Sequence, residues 1–310
     1  MAATPDATHA AHRHGWSVVD FGAIDDRPIV RQRCACGAER VVPAWDRSWT
    51  PPVRWRLVGT GPLAGRLMRL APPADRPMSD AIRVDVWSDI ACPWCYIGKR
   101  NLEQGIAVLA ADTEAPSVDV AYHSFELDPD APIEFDGTAD EYLARRKGIP
   151  ADQARQMHDR VTAIAAEAGL HYDFATIKRA RTARAHQLVH HARSSNLEAE
   201  AVERLFAAHF SEGRNLGRVD ELVALGKQIG LDPIELRDVL TNDEHMDAVR
   251  AGEQEAAALG ITGVPFYVLD RRYGLSGAQP PQVFAAALRQ VAAERADPRT
   301  LDVTGAGTPQ

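Results

Sequence analysis

The chain has 310 residues, is 45% hydrophobic and 25% charged, and carries a formal net charge of −8. That size supplies an ample core, and no apolar run is long enough to cross a bilayer. The acidic balance argues against nucleic acid as the main partner. The charge is uneven: Met1 to Met78 holds 11 Arg against 7 Asp and Glu, leaving 24 Lys and Arg against 36 acids in the rest. Two modules with different surfaces are expected.

The first residues show no apolar h-region of the secretory kind, so the expected address is the cytoplasm. Met1 to about His12 is polar and Ala-rich and reads as a disordered start. From Arg13 to Leu57 a small β-rich module is expected, with short strands at Trp16–Val19, Ile29–Arg33 and Arg40–Val42. Cys34-Ala35-Cys36-Gly37 makes the turn between the last two. It resembles half a zinc knuckle, one residue tight, which His9, His12 or His14 could complete only if the start folds back. A second redox couple and plain thiols are the other readings. Trp16, Trp45, Trp49 and Trp55 among several Arg could make a contact surface, but the core of this module is the simpler role. Val58 to Asp80 is rich in Gly and Pro and reads as a linker.

The main domain is expected over 81–296, followed by a tail over 297–310. It opens on a strand, Ile82–Trp87, then Cys92-Pro93-Trp94-Cys95, then a helix with Leu102, Ile106 and Leu109 on one face. Val118 to Phe125 reads as a second strand, completing a parallel crossover. A helical insertion spans about 128–260. Thr138–Glu141 is a capping box, Met157, Val161, Ile164 and Ala168 form an apolar face, and Gly169 ends that helix. Asn196 and Asp232 are expected N-caps, and Gly230 and Gly260 helix ends. Pro265–Leu269 and Tyr273–Leu275 form a hairpin turning at Asp270-Arg271. Pro281 starts a last helix with Phe284, Leu288 and Val291 inward.

Cysteines three apart share a helical face, with Cα atoms roughly 5 Å apart, within disulfide range. Pro93 suits the first helical position, which puts Cys92 at the N-cap, before free N–H groups and the positive end of the helix dipole. Both favour a thiolate. Cys92 is therefore expected to be the exposed nucleophile and Cys95, one turn in, the resolving thiol. Zinc would need four ligands, and no second cysteine pair lies in this domain. Two inert core thiols are the remaining alternative, though Pro-Trp at a strand–helix junction packs poorly. Thr262-Gly263-Val264-Pro265 enters a strand, where Pro needs a special reason. A cis bond would bring a tight corner near the CPWC turn and leave Val264 backbone groups for an extended substrate; an ordinary trans Pro at a strand edge is equally compatible. Pro93, Trp94 and Val264 are the expected substrate contacts. His186 and His190, four apart, read as packing or groove residues rather than metal ligands.

Several ordered motifs resemble the DsbA group of thioredoxin-fold proteins, most closely its FrnE-like cytoplasmic branch. They are Val84–Gly98, Phe125–Pro129, Gly260–Phe266 and Tyr273–Pro280, with Arg184-Ala185-His186 between. The resemblance covers about Ile82 to Arg295. It implies an α/β thioredoxin fold with a helical insertion, dithiol–disulfide exchange without cofactor or metal, and a cis Pro265 touching the disulfide. Substrates would be protein dithiols or disulfides, or small thiols such as glutathione. Relatives often carry a buried acid six residues before the first Cys, and here that place is Val86. Asp85, Asp89 and Glu126 are the nearest substitutes, each read as a capping or surface acid. The second cysteine pair that some FrnE-like proteins carry near the C-terminus is missing here. Two other classes compete: glutathione-dependent isomerases and transferases of the 2-hydroxychromene-2-carboxylate isomerase and kappa kinds, whose nucleophile is typically a Ser, and a redox- or zinc-sensing binding protein acting through the N-terminal module.

Overall fold

The computed structural model describes residues 16–24, 27–34, 39–43, 55–58, 61–70, 81–112 and 115–296. The expected start over 1–12, Cys36, Trp45, Trp49 and the tail over 297–310 lie outside them. The chain divides into Met1–Thr50 and Pro51–Gln310. The first unit is an antiparallel meander of β1 (Trp16–Ile24), β2 (Arg27–Cys34) and β3 (Glu39–Pro43), with a bulge between Val18 and Asp20. Cys34 ends β2, opposite Trp16.

The second unit is built on a six-stranded sheet. Its strands are β4 (Trp55–Val58), β5 (Leu67–Leu70), β6 (Ile82–Ser88), β7 (Val118–Ser124), β8 (Phe266–Leu269) and β9 (Tyr273–Ser276), in the order β4-β5-β9-β8-β6-β7. Among the described residues only β6 and β7 pair in parallel, the sign of a crossover through the helix between them. The β8–β9 turn places Asp270 and Arg271 at φ 55° and 54°, the left-handed pair that a two-residue hairpin demands.

The linker expected over 58–80 is corrected here. β4 and β5 extend the sheet beyond β9, with Leu67 opposite Leu275 and Arg69 opposite Tyr273. Trp55 is corrected with it: it belongs to this sheet, where its indole N–H donates to the Leu259 carbonyl over 2.8 Å and its ring meets Phe266 at 5.6 Å. The sheet continues because Leu67, Met68 and Leu70 are all buried, so four residues suffice for a strand on both cores.

Alternation sorts the strands into two cores. Ile82, Val84 and Val86 of β6, with Tyr267 and Leu269 of β8, face α1 (Pro93–Ala110) and α9 (Pro281–Ala296). Trp87, Phe266, Val268 and Met68 face the other way, under α8 (Met246–Ala258). α1 and α9 pack closely at Gly105, where a Cβ would sit 2.6 Å from that of Phe284. On the other face Trp87 Nε1 donates to the Gly252 carbonyl over 3.0 Å.

Between β7 and β8 lie α2 (Ala139–Lys147), α3 (Ala151–Glu167), α4 (Ala183–Arg193), α5 (Glu198–Phe210), α6 (Val219–Gln228), α7 (Pro233–Thr241) and α8. Thr138 and Glu141 close the capping box of α2, and Asp232 caps α7 through Ile234 and Glu235. Two expectations fail. Asn196 does not cap α5: it takes φ 58° and Leu197 is the N-cap. The buried face of α3 is Ala154, His158, Val161 and Ala165, while Ile164 is exposed. His158 turns inward because its ring stacks on Phe174 at 3.9 Å and its Nδ1 meets Asp140 at 2.6 Å. No helix among the described residues is long and apolar enough to cross a membrane.

Candidate active site

The β6–α1 junction is a tight turn before a helix. Cys92 donates its N–H to the Asp89 carbonyl over 3.0 Å, and its own carbonyl takes the Cys95 N–H at 3.0 Å. It is the N-cap, with φ −91° and ψ 114°, and Pro93 opens α1. Its side chain caps nothing in the helix and its Sγ donates instead to the Val264 carbonyl over 3.6 Å. The Val264–Pro265 peptide bond is cis. Both Cys92 and Cys95 are free thiols.

The expected exposure of Cys92 is corrected. Its relative exposure is 4%, against 2% for Cys95, because the Val264–Pro265 corner lies over it. Trp94 alone of the motif stands out, at 43%. Burial pushes the Cys95 thiol well up, and the neighbouring Cys92 sulfur adds to it. The Ser88 hydroxyl and the Asp89 backbone N–H oppose that rise.

The insertion holds the turn from outside. Tyr172 donates to the Pro93 carbonyl over 2.7 Å, and an Arg179 Nη1 donates to the Ala91 carbonyl over 3.1 Å. Arg179 lies over the Tyr142 ring, 5.7 Å from its centroid. Burial lowers the Arg179 pKa, and the nearby Asp89 carboxylate works against that fall. Beneath the turn, Tyr267 is fully buried with its hydroxyl unpartnered, and burial pushes its pKa well up.

Asp89 is not a surface acid. It is 1% exposed, its Oδ1 accepts from Ala91 N at 3.1 Å and its Oδ2 from Leu127 N at 2.7 Å. His186 Nε2 stands 3.6 Å from Oδ1. Burial opposes ionisation, but His186 and the two N–H groups outweigh it and hold the carboxyl below its usual range. Glu126 is also buried, clasped by Arg181 at 3.1 and 2.9 Å. Asp85 bonds His123 at 2.9 Å and Arg83 at 3.1 Å, one strand from the cysteines. His190 bonds Ser124 Oγ at 2.9 Å. Among the described residues no group of three or more His, Cys, Asp or Glu could hold a metal ion.

The structure thus brings Cys92, Pro93, Trp94, Cys95, Val264 and Pro265 together, and adds Ser88, Asp89, Tyr172, Arg179, His186 and Tyr267. Those additions carry no local signature. Tyr172 and Arg179 sit in an irregular stretch between α3 and α4, and only Ser88, Asp89 and His186 lie within stretches the family resemblance singles out.

A strand running into a cysteine-capped helix, with an X-Pro corner of the neighbouring strand against the first sulfur, defines a thioredoxin-fold protein. Residues 83–289 match the family model of the DSBA-like thioredoxin domain, and the chain belongs to that family, whose general activity is thiol–disulfide oxidoreduction. A probable DsbA oxidoreductase from Streptomyces coelicolor is 37% identical and covers 74% of this chain and 100% of its own, with a TM-score of 0.65. The uncharacterized protein YwbO of Bacillus subtilis is 26% identical over 209 residues, 67% of this chain and 96% of that one. A 2-hydroxychromene-2-carboxylate isomerase shares the fold at 15% identity, over 72% of this chain and all of its own, with a TM-score of 0.51.

Proposed function

We propose that the protein exchanges dithiols and disulfides through the Cys92–Cys95 couple, acting on protein substrates or small thiols such as glutathione. Cys92 attacks a substrate disulfide: its sulfur bonds to one substrate sulfur, and the other leaves as a thiolate and takes a proton. Cys95, deprotonated, then attacks the Cys92 sulfur and releases the second substrate thiolate. Two electrons pass from the cysteine pair to the substrate, and the reverse sequence oxidises a substrate dithiol. The observation carrying this reading is the asymmetry of the pair. Cys92 sits at the open end of α1 against a backbone carbonyl, while Cys95 lies one turn deeper with its thiol pushed up.

Pro93, Trp94 and Val264 are the proposed substrate contacts, Trp94 because it offers an exposed aromatic face beside the sulfur. Pro265 is the corner that shapes the cleft. Within the family, the CPWCYIG and GVPF motifs favour the FrnE-like branch, and cysteines used as close pairs suit a cytoplasmic setting. The isomerase or transferase reading keeps the same fold, but two thiols in one turn favour redox chemistry. An insulin-reduction or scrambled-ribonuclease assay tests the proposal. Cys92→Ser is expected to abolish turnover, and full activity in that variant overturns it. Binding of glutathione without disulfide exchange would support the isomerase class.

A further inference from the structure

Arg179 carries an enclosed guanidinium without a counter-ion. Its main chain is pinned to the loop ahead of α2: the Phe135 N–H donates to the Arg179 carbonyl over 3.1 Å, and the Arg181 N–H to that of Pro132 over 2.9 Å. From there the side chain reaches the β6–α1 turn, where Nη1 donates to the Ala91 carbonyl over 3.1 Å. The Tyr142 ring covers the guanidinium, and Nε is closed to solvent with no partner. Among the described residues no carboxylate pairs with it. Asp89 has both oxygens committed elsewhere, Oδ1 to the Ala91 N–H and Oδ2 to the Leu127 N–H. Arginine keeps its charge at any pH a protein meets. An enclosed charge is costly unless an opposite charge answers it.

We propose that the missing counter-ion is the Cys92 thiolate, which makes Arg179 the positioning residue that holds the reactive sulfur ionised. The inference rests on the dithiol mechanism above and names the charge that prepares its nucleophile. The carbonyl that Arg179 holds belongs to the peptide bond leading into Cys92. Covalent geometry therefore keeps Sγ within about 9 Å of Nη1, whatever its rotamer. At that range, one enclosed charge displaces the ionisation of another by about one pH unit. The Cys92 proton leaves to solvent, the sulfur gives up its bond to the Val264 carbonyl, and the anion gains both the open end of α1 and Arg179. Other titratable groups face the turn. Tyr142 on α2, Tyr172 beside Arg179 and Tyr267 on β8 stay neutral, because burial pushes all three hydroxyls up. Burial likewise keeps Cys95 protonated and lowers His209 on α5 to about 3. Asp89 is an anion that opposes a thiolate, and His186 on α4 stands 3.6 Å from it. Of these groups Arg179 is the only permanent cation.

The test uses the reduced full-length protein and iodoacetamide, with peptide mass spectrometry to follow Cys92 apart from Cys34, Cys36 and Cys95. Rates are taken from pH 5 to 10 in wild type, Arg179→Gln, Arg179→Lys and Tyr172→Phe. Glutamine can still donate to the Ala91 carbonyl but carries no charge, and lysine keeps the charge. Tyr172→Phe removes the neighbouring brace on the Pro93 carbonyl and no charge. The expected result is a rate profile displaced by about one pH unit towards alkali in Arg179→Gln. Arg179→Lys and Tyr172→Phe should each move it less than half as far. A displacement below about half a pH unit in Arg179→Gln overturns the inference, as does one more than half as large in either of the other two. Arg179→Met, neutral and of similar reach, replaces Arg179→Gln under the same thresholds if that variant does not fold. A wild-type Cys92 inert to the reagent at every pH overturns the dithiol reading instead.

Discussion

The Sγ of Cys92 donates to the carbonyl oxygen of Val264 over 3.6 Å, so the first sulfur of the motif is held by the backbone of the residue before Pro265. A thiol can make that bond, whereas a thiolate or a mixed disulfide has no proton to give. On the proposed mechanism, reaction at Cys92 frees the Val264 carbonyl, a backbone acceptor just ahead of β8, for a substrate segment.

The same corner packs against α1 at Gly98. A Cβ there would collide with the Tyr267 hydroxyl and come within 3.1 Å of Pro265 Cγ. Tyr267 is fully buried and cannot swing away. Gly98→Ala is expected to destabilise the protein by about 1–3 kcal/mol. Tyr267→Phe removes the unpartnered hydroxyl that the methyl would strike, so the double variant should recover much of the loss. Urea midpoints across the double-mutant cycle measure this, and strictly additive costs would contradict it.

Glu203 on α5 anchors the outer face of α1. Its carboxylate accepts from Tyr96 Oη at 2.7 Å, Lys99 Nζ at 2.5 Å and Arg100 at 2.8 Å, and these partners hold its pKa below the usual range despite its burial. Lys99 is 5% exposed at its side chain, so it depends on its carboxylate partners. Glu203→Gln should cost about 1–2 kcal/mol, less than a fully buried pair because Glu203 is itself 35% exposed. Chemical denaturation at low and high salt would show it, with the greater loss at low salt.

Acid should weaken the fold through two histidines. Burial lowers His209 to about 3 and His190 to about 3, from an ordinary 6.5. The unfolded chain takes up those protons first, so stability is full above pH 6.5 and falls as the pH drops towards 3, by up to about 1.4 kcal/mol per pH unit for each group. His209→Phe removes one of them, along with two unpartnered ring nitrogens. Its loss of stability between pH 7 and pH 4 should be smaller than wild type. Parallel curves for the two proteins would contradict this.

Much of the fold was legible because its signals are local. Cys92-Pro93 marks the start of α1, Thr138 to Glu141 that of α2, and Asp270-Arg271 the β8–β9 turn, each by chemistry confined to a few residues. What was missed depends on distant partners. Asp89 looks like any loop acid until Leu127 and His186 are brought to it from 38 and 97 positions away. β4 and β5 are four residues each among Gly and Pro, too short for a period to show, and are strands only because β9 offers an edge.

That edge extension also has a measurable consequence. Trp55→Phe should cost about 1 kcal/mol through the lost bond to Leu259, and Trp55→Ala about 3 kcal/mol through lost packing on Phe266. Thermal midpoints that match wild type in both variants would show that β4 adds nothing to the stability of the sheet.

The division of labour between the two sulfurs is tested most directly by mapping the mixed disulfide formed with a protein disulfide substrate. In Cys95→Ser the account predicts a long-lived adduct, found by peptide mass spectrometry on Cys92 alone, and in Cys92→Ser no adduct. Substrate trapped on Cys95 of the Cys92→Ser protein would contradict it.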